Sequence, residues 1–263
     1  MTENCFPRSR SAGFFALPIT CLVAIFGMLA ACSAKGEEAK DAPIPLVQGS
    51  TDERMFKALS QLIADGHKKF RIKSSGGEEA VAIKIATLLH ENKIELIVED
   101  FCTSSCAQYL MAGAKSTEVS PGTLIGVHMN SYGLVIGGYV APSEPHFALL
   151  QKNTEAARNL YQKAGRNPEF MTLATESSEL KCTIYEGGVP KRAFARYQTW
   201  VPTKEILAEH GFKIKGELPN TRQQAAQNVR RYRPDGYTFW FGPVPERDTV
   251  KPLRNCEELS EKL

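Results

Sequence analysis

The stretch "FCTSSCAQYLMAGA", residues 101–114, places two serines between two cysteines just where a helical pattern begins. It reads as a disulfide turn, as a metal knuckle, or as a nucleophile held at a helix start, and the rest of the chain decides among these. The metal reading is the weakest. There is no CxxC pair, and no histidine lies nearby in sequence to complete a tetrahedral set. No cofactor is expected either.

Working outward, the flanking segments alternate. "TDERMFKALSQLIADG" (51–66) spaces Met55, Leu59, Leu62 and Ile63 along one helical face. "KFRIK" is a short strand that ends at Ser74-Ser75-Gly76-Gly77. "EEAVAIKIATLLHENK" has a helical face of Val81, Ile85, Leu88 and Leu89, with acids in its first turn where the helix dipole favours them. "IELIVED" is a strand, a helix is expected over 104–114, and "TLIGVH" is a further strand. A polar helix is expected over about 144–164, a helix start at Asn167-Pro168, a helix in "PTKEILAEHG" and a strand in "FKIKGEL". Strand and helix in alternation indicate an α/β fold with a parallel sheet. The aromatic strand "YTFWFG" belongs to a C-terminal extension, 215–263, expected to pack across the core.

Composition is that of a globular protein, 43% apolar and 23% charged. A net charge of +3 without a Lys/Arg run gives no nucleic-acid footprint. The first 31 residues differ: Arg8 and Arg10 precede the apolar run "SAGFFALPITCLVAIFGMLAAC". Such a run is long enough to remain as a membrane anchor. However, Leu29-Ala30-Ala31-Cys32 resembles the lipobox of bacterial lipoproteins, in which the cysteine is lipidated and the preceding peptide removed. That resemblance implies a signal peptide over 1–31 and a lipidated tether over 32–50. Ser33 in place of Asp after Cys32 implies the outer membrane, at the periplasmic face of a bacterial envelope. Export leaves four cysteines, Cys102, Cys106, Cys182 and Cys256, in an oxidising compartment. Of three possible pairings we expect Cys102–Cys106 and Cys182–Cys256, since i and i+4 on a helix lie within reach of a disulfide. The chain-entropy model gives about 2 kcal/mol for the short ring and about 4.5 kcal/mol for the long one.

Three segments carry a more specific resemblance. "IKSSGG" resembles the I-x-S-x-G-G loop of the Clp protease proteolytic subunit, "TSSCAQYLMAGAK" that family's nucleophile helix, and "TLIGVH" its strand ending in the catalytic histidine. The separations are 28 residues from Gly76 to Ser104 and 24 from Ser104 to His128. The match covers about residues 70–130 and continues more loosely to "PTKEILAEHGF". It implies a Clp protease/crotonase-like spiral of βαβ units over 51–214. It further implies Ser104 as nucleophile, His128 as general base, and the N–H groups of Gly76 and Ser105 as the oxyanion hole. Where the family places its aspartate, shortly before "PTKEILAEHG", this chain reads "ARYQTW" and offers no acid. Glu176 is the preferred substitute, ahead of Glu179 and Glu186; a backbone carbonyl orienting His128 is an equal alternative. Lys115, eleven residues past Ser104, lies too far along the helix for a Ser–Lys pair.

Two functions follow. One is a lipid-anchored serine peptidase of the cell envelope, acting on polypeptides. The other is an inactive Clp-like scaffold that binds a protein or envelope component. Either could form homo-oligomers, as relatives do. An acyl-CoA enzyme of the crotonase group is set aside because CoA is absent outside the cytoplasm.

Overall fold

A computed structural model of the chain describes residues 43–186, 189–233, 235–245 and 254–257. The expected signal peptide, Cys32 and most of the tether lie outside the described residues, as does the side chain of Glu186. Among the described residues no helix is long and apolar enough to cross a membrane.

The chain is α/β with a parallel sheet, as the alternation implied. The tether gives way to structure earlier than expected, because Leu46–Gln48 forms β1, which pairs with β2. Helix α1 (Glu53–Ala64) starts at Asp52, whose carboxylate accepts from the N–H groups of Arg54 and Met55 at 2.9 and 3.0 Å. These bonds hold the Asp52 pKa below the ordinary value. Strand β2 (Lys69–Ser74) buries Phe70, Ile72 and Ser74 on one face and leads through the serine–glycine loop into α2 (Glu79–Glu91).

Strand β3 (Glu95–Thr103) is nine residues long and serves two neighbours. Its first half pairs with β4 (Ser116–Val119) and its second half with β5 (Leu124–Gly126). The division falls at a bulge: Ile72 of β2 lies opposite Val98, but Ser74 lies opposite Cys102. Asp100, within the extra residues, has φ 59°, a left-handed conformation that re-aims the strand. The sheet order is β1-β2-β3-β4-β9, where β9 is Ile214–Gly216, with β5 beside the end of β3.

The helix expected over 104–114 is a wide π-turn, Cys106–Leu110, followed by one α-turn, α3 (Met111–Gly113). All five residues of the π-turn are buried. The apolar period predicted there is therefore not a one-sided face, and its polar side chains Gln108 and Tyr109 require internal partners. At Gly113 a Cβ would run into the Ala86 carbonyl, so the glycine lets this helix lie directly on α2.

Beyond β5 come α4 (Ser131–Ile136), α5 (Phe147–Ala164) and α6 (Glu169–Glu176). A hairpin of β6 (Leu180–Glu186) and β7 (Val189–Ala195) follows, then β8 (Thr199–Val201), α7 (Lys204–Glu209) and β9 (Ile214–Gly216). The extension supplies α8 (Arg222–Tyr232), β10 (Phe239–Phe241) and β11 (Arg254–Asn255). Its described residues contact the rest of the chain at several points. Ala225 and Val229 of α8 share a buried cluster with Leu124 and Val201, and the Trp200 indole N–H donates to the Gly242 carbonyl at 2.8 Å. Cys182 and Cys256 are bridged across 74 residues, tying β11 to β6.

Candidate active site

The first expectation concerns the turn that carries Ser104. Cys102, the penultimate residue of β3, and Cys106, the first of the π-turn, are bridged with Cα atoms 5.4 Å apart. The bridge therefore spans a strand-to-helix turn and not a helical turn, and it excludes the metal knuckle. Inside the ring Ser104 has φ 58°. A non-glycine residue held there costs about 1–3 kcal/mol, a strain that persists only where the surroundings over-determine it. They do so here. The Ser104 N–H donates to the Gly126 carbonyl at 2.8 Å, and the Ser104 carbonyl accepts from Gln108 N–H at 3.0 Å. The result is an elbow at which Ser104 is half-buried.

His128 follows β5, where Val127 and Trp200 exchange backbone hydrogen bonds of 2.8 and 2.6 Å that fix the end of the strand. Its Nε2 lies 2.7 Å from Ser104 Oγ. Nδ1 lies 2.8 Å from the carbonyl of Met129. A carbonyl only accepts, so Nδ1 carries the proton and Nε2 presents its lone pair to the serine hydroxyl. That is the tautomer a general base requires. Burial lowers the His128 pKa below its ordinary value; the Met129 carbonyl and the Glu79 carboxylate act the other way, and Arg233 adds to the lowering. The net direction is down, so the imidazole is neutral at neutral pH.

Glu176 was the preferred third member, and this expectation needs correction at the hydrogen bond itself: Met129 supplies the acceptor at Nδ1. The reason is helical phase. On α6 the residue facing the loop after His128 is Thr175, whose Oγ1 accepts from Asn130 N–H at 3.3 Å and which is fully buried. Glu176 is one residue on, about 100° round the helix. Glu179 lies past the helix and pairs with Arg196 at 3.3 Å.

Among the described residues, the carboxylate whose charge favours a protonated His128 is Glu79, a first-turn acid also favoured by the helix dipole. It accepts from Ser131 N–H at 3.0 Å, from Asn153 Nδ2 at 3.3 Å, and from the hydroxyls of Ser131 and Tyr109 in short hydrogen bonds. These four donors immobilise the charge. Gln108 was also missed: its side-chain amide donates to the His128 carbonyl, while its own carbonyl accepts from Tyr161 OH at 2.7 Å.

The expected oxyanion donors are adjacent to Ser104 but not equally free. A Cβ on Gly76 would sit 2.5 Å from Ser104 Cβ, so the loop and the nucleophile are in contact. The Gly76 N–H, however, donates to Ser74 Oγ at 3.1 Å. To serve an oxyanion it must exchange that neutral acceptor for a charged one, which makes the stronger hydrogen bond. Ser105 N–H stands at the helix start, where no intrahelical acceptor exists. The Ser105 hydroxyl is structural: it lies 2.7 Å from Thr51 Oγ1 and accepts from Gly77 N–H at 2.8 Å, tying the loop to the helix. Lys115 pairs with Glu95 at 2.8 Å on the surface and takes no part.

Neither a family model nor a curated protein matches the chain. Among solved structures it is similar to the membrane-bound stomatin-specific protease 1510-N in a serine-to-alanine variant. The TM-score is 0.41, with 12% identity over 77% of this chain and 97% of that one. It is also similar to a lysine-to-alanine variant of the same protease in complex with a substrate peptide, with TM-score 0.41 and 13% identity over 78% and 93% of the two chains.

Proposed function

We propose that the chain is a serine hydrolase of polypeptides, of Clp protease/crotonase-like architecture, working through a Ser104–His128 dyad supported by the Met129 carbonyl. The observation that carries this reading is the 2.7 Å contact between Ser104 Oγ and His128 Nε2, made from a strained left-handed serine. Backbone strain of this kind is held where it presents a reacting group, here a hydroxyl against an imidazole nitrogen. In the reaction His128 takes the hydroxyl proton as Oγ attacks the carbonyl carbon. The oxyanion is met by Ser105 N–H and by Gly76 N–H once released from Ser74, and His128 returns the proton to the departing nitrogen. Water then repeats the sequence on the ester. Met129 keeps the tautomer a triad aspartate would keep; the immobilised charge of Glu79 supplies part of the imidazolium stabilisation. A fluorogenic peptide should be hydrolysed by the wild type and not by Ser104→Ala. Equal rates for the two would reject the reading.

A binding scaffold is the second reading, favoured by the Gly76 N–H being engaged by Ser74. In that case Ser104→Ala should leave every function intact.

Lipid anchoring through Cys32, at the periplasmic side of the outer membrane, is part of the proposal and rests on the Leu29–Cys32 motif. Cys32→Ser should abolish palmitate labelling and leave an unprocessed precursor. Palmitate incorporation undiminished in that variant would remove the anchor.

A further inference from the structure

His128 is one wall residue of a cleft of about 330 Å³. It is lined by Arg192–Ala195 of β7, by Tyr197 and Gln198, by His128 and Met129, and, from the C-terminal extension, by Tyr237. One guanidinium group lines it, and a second stacks on the ring of Tyr237, one of its lining residues. Arg192 lines it directly, laid over the Phe194 ring with 4.8 Å from Cζ to the centroid. Arg233, at the end of α8, lies 5.3 Å over the ring of Tyr237 and donates to Thr103 Oγ1, the residue before the nucleophile. Among the described residues neither cation is ion-paired with a carboxylate, and none of those lining the cleft is acidic. Stacking on a ring holds the guanidinium plane while its N–H edge remains free to bind a planar anion.

The position of the cleft says which part of a substrate enters it. The base that accepts the serine proton hands it to the leaving nitrogen, so the leaving group lies on the His128 side of the scissile bond. Resting on the hydrolase reading above, we propose that this cleft recognises a carboxylate carried by the leaving half of a polypeptide, within a residue or two of the cut. That carboxylate is either an Asp or Glu side chain or the free C-terminus. The extension is then a specificity element as well as a structural one, because Tyr237 and Arg233 both belong to it.

The test separates recognition from turnover by using Ser104→Ala protein and fluorescein-labelled, otherwise neutral pentapeptides. Fluorescence anisotropy compares a free C-terminus, its C-terminal amide, an amide with an internal Glu, and the same amide with Gln. A carboxylate should tighten binding by about 10-fold, the size of one charge-assisted hydrogen bond. The advantage should shrink as salt is raised and disappear in Arg192→Gln. Whether the free terminus or the internal Glu gives the gain identifies the source. Equal affinity of all four peptides overturns the proposal, even if the wild type hydrolyses peptides. Discrimination by the Ser104→Ala protein, alongside a wild type that hydrolyses none of the peptides, keeps the cleft and removes the hydrolase.

Discussion

Gly76→Ala should lower kcat/KM for a peptide substrate by at least about 100-fold, with Gly66→Ala as a control that retains full activity. Both glycines have similar backbone angles, φ 88° and 91°, so both substitutions force an L-residue into the left-handed region. That alone costs about 1 kcal/mol or somewhat more. The environments differ. Nothing lies within 4 Å of the position a Cβ would take at Gly66, whereas at Gly76 it meets Ser104 Cβ at 2.5 Å, the Thr103 carbonyl at 2.8 Å and Ser104 Oγ at 2.9 Å. Two of those atoms belong to the nucleophile and one to backbone, so either the loop or the elbow must move. A displacement of about 1 Å at a reacting atom is enough for a loss on the order of 10². Thermal unfolding should register the left-handed strain in both variants, with a further penalty from the clash at Gly76, while activity falls in only one. If Gly76→Ala retains wild-type turnover, the loop is not part of the catalytic surface.

The two disulfides should separate in the opposite sense. Removing the short bridge with Cys102→Ala/Cys106→Ala should cost about 2 kcal/mol of stability but about 10- to 100-fold in turnover, because the strained serine is then free to relax. Removing the long one with Cys182→Ala/Cys256→Ala should cost about 4.5 kcal/mol and leave the chemistry of the folded enzyme near normal. Parallel measurement of peptide hydrolysis and denaturant midpoints checks both. A short-bridge variant that hydrolyses as fast as the wild type would show that hydrogen bonds to Gly126 and Gln108 suffice to hold Ser104.

The parallel sheet was legible because each βα unit carries a local signal: an apolar run, a serine–glycine break, then a helical face. The pairing of Ser104 with His128 was legible only through resemblance, since nothing local brings together residues separated by 24 positions. The missed elements have physical reasons. The π-turn is buried all round, so its apolar spacing imitates an ordinary helix face. Strands β4 and β8 are four and three residues long, too short to show a period. The β6/β7 hairpin did leave a signal, Gly187-Gly188 between two stretches of alternating character. Glu79 was misread because a first-turn acid is favoured by the helix dipole whatever else it does, and only the fold reveals its four donors. The Met129 carbonyl has no side-chain signature at all; any residue at that position could supply it.

The most direct test of the account is covalent labelling of the intact protein by a fluorophosphonate, followed as a function of pH and mapped by peptide mass spectrometry. A neutral His128 is the active form, and burial lowers its pKa. The labelling rate should therefore rise with pH through a midpoint below the ordinary histidine value of about 6.5 and then level off. The adduct should reside on Ser104 alone, and labelling should fall by about 10³-fold or more in His128→Ala. A folded protein that resists the reagent across that pH range, or one that carries the phosphonate elsewhere, would contradict the account.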